Sequence, residues 1–237
     1  MLFLGGLVVV ALFTALFAPF FLDWSSFRTE FENQASRILG KKVTVHGNVD
    51  ARILPFPSVT MHDVRIGRDT DGTPQVQAAE FSMDMELAPF MSGEARIFDM
   101  RIVRPKARIR VLPDGTLDWT RGSSPVIPAR NVVLEDVHIT DAEIEFIDEQ
   151  TGRTRRLTAF NADMAAASLA GPWRADGTAN LDGYDARFNF SSGEPDAAAG
   201  TVPLRLRLWP DLQPIELQLD GALAVKEGRA GYDGTFS

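Results

Sequence analysis

The sequence predicts a mainly β protein in which an N-terminal transmembrane helix and a short amphipathic helix precede a curved antiparallel β-sheet that forms an open apolar groove. Three observations lead to this fold class. Residues 1–22 carry no charged side chain, apolar residues then recur at helical spacing up to Gly40, and from Lys41 onward they recur at every second position. Helices repeat every 3.6 residues and strands every two, so the change of period marks the start of a β body.

The uncharged segment MLFLGGLVVVALFTALFAPFFL (1–22) is long enough to cross a bilayer core as a helix, which takes about 20 apolar residues. A cleavable signal peptide is the alternative, but no basic residue precedes the apolar run and no small-x-small site precedes Asp23. We therefore predict an uncleaved transmembrane anchor. Phe20, Phe21 and Trp24 are expected at the level of the lipid headgroups, where aromatic rings are favoured.

The charges that flank the anchor bear on its orientation. Arg28, Arg37, Lys41 and Lys42 follow the apolar run and no basic residue precedes it. Taken alone, the positive-inside rule therefore places the rest of the chain in the cytoplasm. Three acidic residues between positions 23 and 32 weaken this signal.

Residues 23–40 (DWSSFRTEFENQASRILG) are predicted to form an amphipathic capping helix that ends at Gly40. Its apolar stripe could lie on a membrane surface or cover the end of a sheet. We favour the cap, because Glu30 and Glu32 would be repelled by anionic headgroups. The stripe consists of Phe27, Phe31, Gln34/Ala35 and Ile38.

Residues 41–237 are predicted to form one repeating β-groove domain of roughly nine to twelve strands. Stretches such as RDTDGTP (68–74) and DEQTGR (148–153) separate the alternating runs as turns. We place a linker at 121–130 and expect the chain to be incomplete at its C-terminus, where another strand begins. The side chains predicted to line the groove are Val43, Val45, Val49, Ile53, Phe81, Met83, Met85, Leu87, Ile109, Val111, Leu204, Leu206, Leu208, Leu217 and Leu219.

Glycine recurs on the apolar side of these predicted strands. In VTVHGNVDARI (43–53) it shares that side with the valines, and several Asp-Gly pairs fall inside alternating runs instead of between them. Glycine inside a strand costs stability and typically marks a bend or the close approach of another group. We predict bends that let the sheet curve, while a closed sandwich core with occasional glycines is the alternative. The bend positions are Gly47, Gly177, Gly221 and Gly234.

Composition and spacing argue against several functions. The formal charge of −8 and the absence of a Lys/Arg cluster disfavour nucleic acid as a partner. The absence of cysteine excludes thiol catalysis, disulfides and zinc ribbons. His46, His62 and His138 have no metal-like spacing, and DTDG (69–72) lacks the later Glu of a calcium loop. We therefore expect no metal, no cofactor and no enzymatic activity.

The motifs between residues 1 and 119 resemble the N-terminal region of AsmA-family proteins of Gram-negative bacteria. The resemblance rests on the Gly40 stop, the V-x-G-x-V pattern around Gly47, LPFP (54–57), DVRIG (63–67) and a G-x-L-x-W pattern that ends in Trp119. The family usually has Asn before this Trp, whereas this sequence has Asp118. A looser similarity continues over residues 131–190, and beyond residue 200 only the β pattern continues.

The resemblance implies a single-pass inner-membrane anchor and a periplasmic body of β-groove units, related to bridge-like lipid transfer proteins. It further implies a role in lipid transport and in outer-membrane homeostasis or assembly. The implied partners are phospholipid, the inner membrane and outer-membrane assembly proteins. As an alternative to the last, the exposed C-terminal sheet edge predicts self-association with a second copy. Two alternatives remain: an assembly scaffold with a closed β core and no lipid and, ranked last, a membrane-tethered hydrolase.

Overall fold

The computed structural model describes residues 28–52, 56–69, 72–86, 95–116, 118, 131–196, 200–226 and 229–237. These residues form one helix, α1 (Arg28–Leu39), and one sheet of 13 strands. The strands are β1 (Val43–Val45), β2 (Val49–Arg52), β3 (Ser58–Ile66), β4 (Val76–Met85), β5 (Ala95–Val103), β6 (Lys106–Val111), β7 (Val132–Asp148), β8 (Arg153–Ala166), β9 (Trp173–Leu181), β10 (Tyr184–Ser192), β11 (Thr201–Pro210), β12 (Leu217–Lys226) and β13 (Arg229–Phe236).

No helix within these ranges is both long and apolar enough to cross a membrane. The anchor predicted at residues 1–22 lies outside the described residues, as does the start of the predicted capping helix.

The sheet is mixed, so the prediction of a purely antiparallel sheet is wrong. Its strand order is β1-β3-β4-β5-β7-β8-β9-β10-β11-β12-β13, with β2 paired to β3, and β6 paired to β4 and β7. Both β5 and β6 run parallel to β7. The β5 strand pairs with the first part of β7, beginning at Ala95 and Val132, and β6 pairs with the last part, ending at Val111 and Asp148. Parallel neighbours require a connection of a dozen or more residues instead of a hairpin. Residues 112–131, which include the predicted linker, provide that connection.

The long strand β7 changes phase twice and thereby keeps its apolar residues on one side. Val132 and Leu134 are buried two residues apart, but the next buried positions are Val137 and Ala142. The pairing with β8 shifts at the same places, before Val137 and before Ala142. Such β-bulges insert an extra residue and increase the local twist of the sheet. Strict alternation in the sequence therefore breaks where the strand bends.

The helix α1 covers the edge of the sheet formed by β1. Phe31 and Ala35 pack against the buried valines of β1 and β2. The Val43 N–H donates to Ser36 Oγ (2.8 Å) and the Val45 N–H donates to Glu32 Oε1 (2.7 Å). These side chains occupy edge amides that would otherwise be open to pairing with another strand.

Gly47 lies in a β-bulge between β1 and β2. Val45 pairs with Val64 and Val49 pairs with Met61, so three residues on one side oppose two on the other. A Cβ atom at Gly47 would lie 2.7 Å from the Cβ atom of His62. This close approach leaves no space for a side chain and therefore requires glycine. The prediction of one continuous strand through Gly47 is wrong, because Gly47 lies between β1 and β2.

The other three predicted bend glycines lie inside strands: Gly177 in β9, Gly221 in β12 and Gly234 in β13. In contrast, Asp182 and Gly183 form the two-residue turn between β9 and β10, and both have positive φ. Positive φ at both turn residues is typical of a hairpin with a type I′ turn. Asp-Gly pairs therefore occur both inside strands and in a hairpin turn of this chain.

Three clusters of buried side chains lie along the sheet, and no side chain in the described ranges is fully enclosed. Apart from α1 on β1, the principal contacts between described elements join neighbouring strands. The sheet is thus a single layer. The N-terminal cluster comprises Val43, Val45, Val49, Val59, Met61 and Val64; the central cluster comprises Ile97, Val132, Leu134, Val137 and Ala166; the C-terminal cluster comprises Ala162, Ala175 and Phe188.

Candidate functional site

One side of the sheet from β9 to β13 is apolar. Directly paired residues of antiparallel strands lie on the same face. Ala175, Phe190, Leu206, Leu219 and Phe236 are paired in succession from β9 to β13, so they form a continuous row across five strands. A second row runs beside it and consists of Gly177, Phe188, Leu208 and Leu217. We call the side of the sheet that carries these rows the apolar face.

The opposite side of the same strands is polar, and we call it the polar face. Its rows include the paired residues Asp176, Asn189, Arg207 and Gln218. Asn189 donates to Asp176 at 2.7 Å. Because the strands alternate strictly here, charged and apolar side chains separate cleanly onto two surfaces.

The apolar face is open to solvent over its C-terminal half. No described element packs over β9 to β13, and the leucines of β11 and β12 remain partly exposed. Near the C-terminal edge exposure rises further, to 36% for Leu223 and 66% for Phe236. Monomeric proteins rarely leave a contiguous apolar surface of this kind uncovered, and such surfaces typically bind a ligand, a membrane or another protein.

The apolar face is continuous with the clusters under the N-terminal half. Met83 packs against both the N-terminal and the central cluster, while Ile139 and Met164 pack against both the central and the C-terminal cluster. The C-terminal cluster in turn contacts Leu206 and Leu208. The path crosses 11 strands, and at the usual strand spacing it is about 48 Å long.

The N-terminal members of the predicted lining are buried. Val43, Val45 and Val49 are only 2–3% exposed and lie beside Phe31 of α1. They form a packed core at the end that α1 covers. Phe81, Met83 and Met85 are partly exposed and pack on the N-terminal or central cluster, whereas Ile53 and Leu87 lie outside the described residues.

The remaining predicted lining residues fall into two groups. Ile109 and Val111 lie on β6, partly exposed and outside the three buried clusters. The others are partly exposed and lie together on the apolar face, where β11 pairs with β12. They are Leu204, Leu206, Leu208, Leu217 and Leu219.

Several residues of the apolar face were not predicted from the sequence. Phe188 and Phe190 occupy its centre, and Phe160 stacks on Phe188 with ring centroids 5.2 Å apart. The alternation in YDARFNFSS (184–192) is the signal that would have identified the first two. Met100 and Met164 join Met83 and Met85 around the central cluster, but only the pairing of separate strands brings these methionines together.

The comparison with known families agrees with the motifs. The model of the AsmA family matches residues 1–194 of this 237-residue sequence. This chain belongs to the AsmA family. No curated protein matches the sequence. Members of the AsmA family are generally associated with membranes, and membership indicates a role in outer-membrane assembly or lipid transport. The match ends just after β10, so β11 to β13 extend the apolar face beyond the matched AsmA region.

Proposed function

We propose that this AsmA-family chain is an inner-membrane-anchored periplasmic protein that holds phospholipid acyl chains on the apolar face of its sheet and contributes to lipid transport to the outer membrane. The observation that carries the proposal is the open apolar face from β9 to β13, continuous with the central cluster. A single-layer sheet exposes this surface to a ligand, whereas a second layer would have covered it.

Burial of acyl chains would supply the affinity. Each methylene group that is removed from water contributes about 0.8 kcal/mol. The headgroup would remain at the solvent-exposed margin of the face. The open part of the apolar face, from β9 to β13, is about 19 Å wide at the usual strand spacing, which is more than half of the roughly 30 Å core of a bilayer, so one extended acyl chain fits along it.

Methionine around the central cluster would suit a mobile ligand. Met83, Met85, Met100 and Met164 pack there, and Met side chains adapt their shape to irregular apolar partners. Acyl chains of different length and saturation could then be accommodated without rearranging the backbone.

The described sheet can hold a lipid without spanning the envelope. At about 48 Å the path is short for a bridge between two membranes. Continued transport would require the sheet to be extended at β13, by more of the native chain, by a second copy or by another protein that pairs with this edge.

Site-specific photocrosslinking in cells tests the proposal. A photoreactive residue at Leu206 or Leu219 should form lipid adducts. The matched probes at Arg205 and Gln218 lie next to these positions on the same strands but on the polar face, and they should form none. Lipid adducts on both faces, or on neither, would contradict the proposal. Protein adducts at Leu206 without lipid would instead favour an assembly scaffold.

A loss-of-binding experiment complements the crosslinking. The wild-type chain, purified in a mild detergent, should carry phospholipid that can be extracted and identified by mass spectrometry. Leu206→Gln together with Leu219→Gln should lower the bound amount several-fold, because both polar side chains would lie in the middle of the apolar face. Arg205→Gln, on the polar face, serves as the control and should retain the lipid.

A further inference from the structure

A cavity of about 390 Å³, lined mainly by charged and polar residues, lies at one end of the strands, where β1 and β4 begin and where β3, β6 and β7 end. Its volume is within the range of about 300–1,000 Å³ that is typical of small-molecule sites. No part of the proposed lipid function uses it. The cavity is lined by Gly40, Lys41, Lys42, Gly67, Arg68, Asp69, Gln75, Arg110, Leu112, Asp118 and Glu149.

One wall of the cavity is an ion-pair cluster around Asp69, whose side chain is only 4% exposed. Arg110 Nη2 lies 2.7 Å from Asp69 Oδ2, and Arg110 Nη1 lies 3.3 Å from Glu149 Oε1. Arg108 Nη1 approaches the same Asp69 oxygen at 3.8 Å. Both carboxylates are thereby neutralised by arginine. The cluster joins the segment after β3 to the ends of β6 and β7.

A second wall is a hydrogen-bond chain through the buried Gln75. Lys41 Nζ donates to Gln75 Oε1 (3.0 Å), and Gln75 Nε2 donates to Asp118 Oδ2 (3.3 Å). The other oxygen of Asp118 accepts from the Arg110 backbone N–H at 3.1 Å. These bonds hold the Lys41 ammonium group at the cavity and orient the loop that carries Asp118.

The cavity has an excess of positive charge. Four cationic side chains line it against three carboxylates, two of which are paired with Arg110. Among the described residues, Lys42 and Arg68 form no ion pair with a carboxylate, and both are exposed at the mouth. Burial lowers the pKa of Lys41, an effect that the nearby Asp118 opposes. An additional anion in the cavity would stabilise the charged form of this ammonium group.

We infer that this cavity binds a phosphate group, with Lys42 and Arg68 donating charge-assisted hydrogen bonds at its mouth and Lys41 adding charge from within. Guanidinium and ammonium groups recognise phosphate oxygens in this way. The phosphate could belong to a phospholipid headgroup or to a small soluble phosphate ester. The inference does not depend on lipid binding by the apolar face.

Calorimetric titration of the full chain with inorganic phosphate, in a neutral detergent and at constant ionic strength, tests the inference. Phosphate should bind, and chloride should not compete. Lys42→Gln and Arg68→Gln should each weaken binding about tenfold, the effect of losing one charge-assisted hydrogen bond. The matched controls Lys106→Gln and Arg153→Gln remove exposed cations outside the cavity and should change the affinity less than twofold.

Charge-conserving variants distinguish the loss of a phosphate contact from a defect in folding. Lys42→Arg and Arg68→Lys should keep the affinity within about threefold, since either cation can contact a phosphate oxygen. Unaltered phosphate affinity in Lys42→Gln and Arg68→Gln would overturn the inference. Displacement of phosphate by chloride at equal concentration would also overturn it, because the effect would then be general screening.

The two sources of phosphate are separated with short-chain lipids. Dihexanoyl phosphatidic acid and dihexanoylglycerol carry the same acyl chains, but only the first carries phosphate. A headgroup site predicts that phosphatidic acid binds more tightly than either dihexanoylglycerol or inorganic phosphate, and that Lys42→Gln weakens its binding. A soluble-phosphate site predicts equal affinity for phosphatidic acid and inorganic phosphate. An affinity for phosphatidic acid that equals the affinity for dihexanoylglycerol and is unchanged in Lys42→Gln would refute the phosphate site and leave the lipid proposal intact.

Discussion

Gly221 on β12 and Gly234 on β13 lie directly opposite each other, so close that a Cβ atom on Gly221 would come within 2.6 Å of the Gly234 Cα atom. The reverse also holds, because a Cβ atom on Gly234 would lie 2.6 Å from the Gly221 Cα atom. Neither position has space for a side chain. The pair lies on the apolar face, where Gly221 is flanked by Leu219 and Leu223 along its strand.

We expect Gly221→Val to destabilise the chain by about 1–3 kcal/mol, the usual cost of forcing a side chain into occupied space. Valine otherwise favours strands, so propensity alone predicts the opposite sign. Urea unfolding measures the change, and hydrogen exchange should show the loss concentrated in the β12 and β13 amides.

The control for this variant is Gly231→Val on β13. Apart from its two chain neighbours, a Cβ atom at Gly231 would meet no atom within 4 Å, so valine should be neutral or stabilising there. A higher unfolding midpoint for Gly221→Val than for the wild type would refute the steric argument.

The hydrogen bonds that join α1 to β1 predict a second effect. Ser36→Ala and Glu32→Ala would leave the amides of Val43 and Val45 without their side-chain acceptors. Each should cost about 1–3 kcal/mol because a part-buried donor loses its partner. Faster hydrogen exchange at these two amides would provide the direct evidence. Asn33→Ala, on the exposed side of α1, should leave both exchange rates unchanged.

Asp63 predicts a dependence of stability on pH. Hydrogen bonds from Arg65, assisted by Gln77, lower the pKa of Asp63 from its ordinary value of 3.8. The folded chain therefore takes up this proton less readily than the unfolded chain. The resulting stabilisation is present above the ordinary pKa and is lost as the pH falls towards the lowered one.

Asp63→Asn should flatten the acid limb of the stability curve between about pH 5 and pH 2. Asparagine tolerates the left-handed backbone at this position, where φ is +49°, so the variant tests charge and not strain. Arg65→Gln should flatten the same limb, and the double variant should add little. If both single variants follow the wild-type curve, the Asp63–Arg65 pair does not contribute to the pH dependence of stability.

The predicted anchor is tested by a reporter fused after Ser237. Alkaline phosphatase is active only after export, so an active, membrane-bound fusion is expected despite the basic residues that follow the apolar segment. A fusion that lacks residues 1–22 should be inactive. A cytoplasmic reporter that is active at the same position would contradict the orientation, and release of the fusion into the soluble periplasm would contradict an uncleaved anchor.

Much of the architecture can be predicted from the local spacing of apolar and polar residues. The run LRLRLW (204–209) alternates leucine and arginine, and in the structure its leucines lie on the apolar face while Arg205 pairs with Asp220 on the polar face. Placement of a side chain on one face of a strand depends only on its own position in the chain. The mainly β body and the membership of the AsmA family were predicted correctly for the same reason, since both rest on contiguous residues.

Spacing could not reveal which strands are neighbours or what covers them. The parallel pairing of β5 with β7, the bulge at Gly47 and the cavity beside Asp69 each join segments that are distant in the sequence. The alternation around Val43 is the same as that around Leu206, yet α1 buries the first and leaves the second open. The position of a residue along its strand determines the side on which it lies, whereas burial on that side depends on contacts made by other parts of the chain.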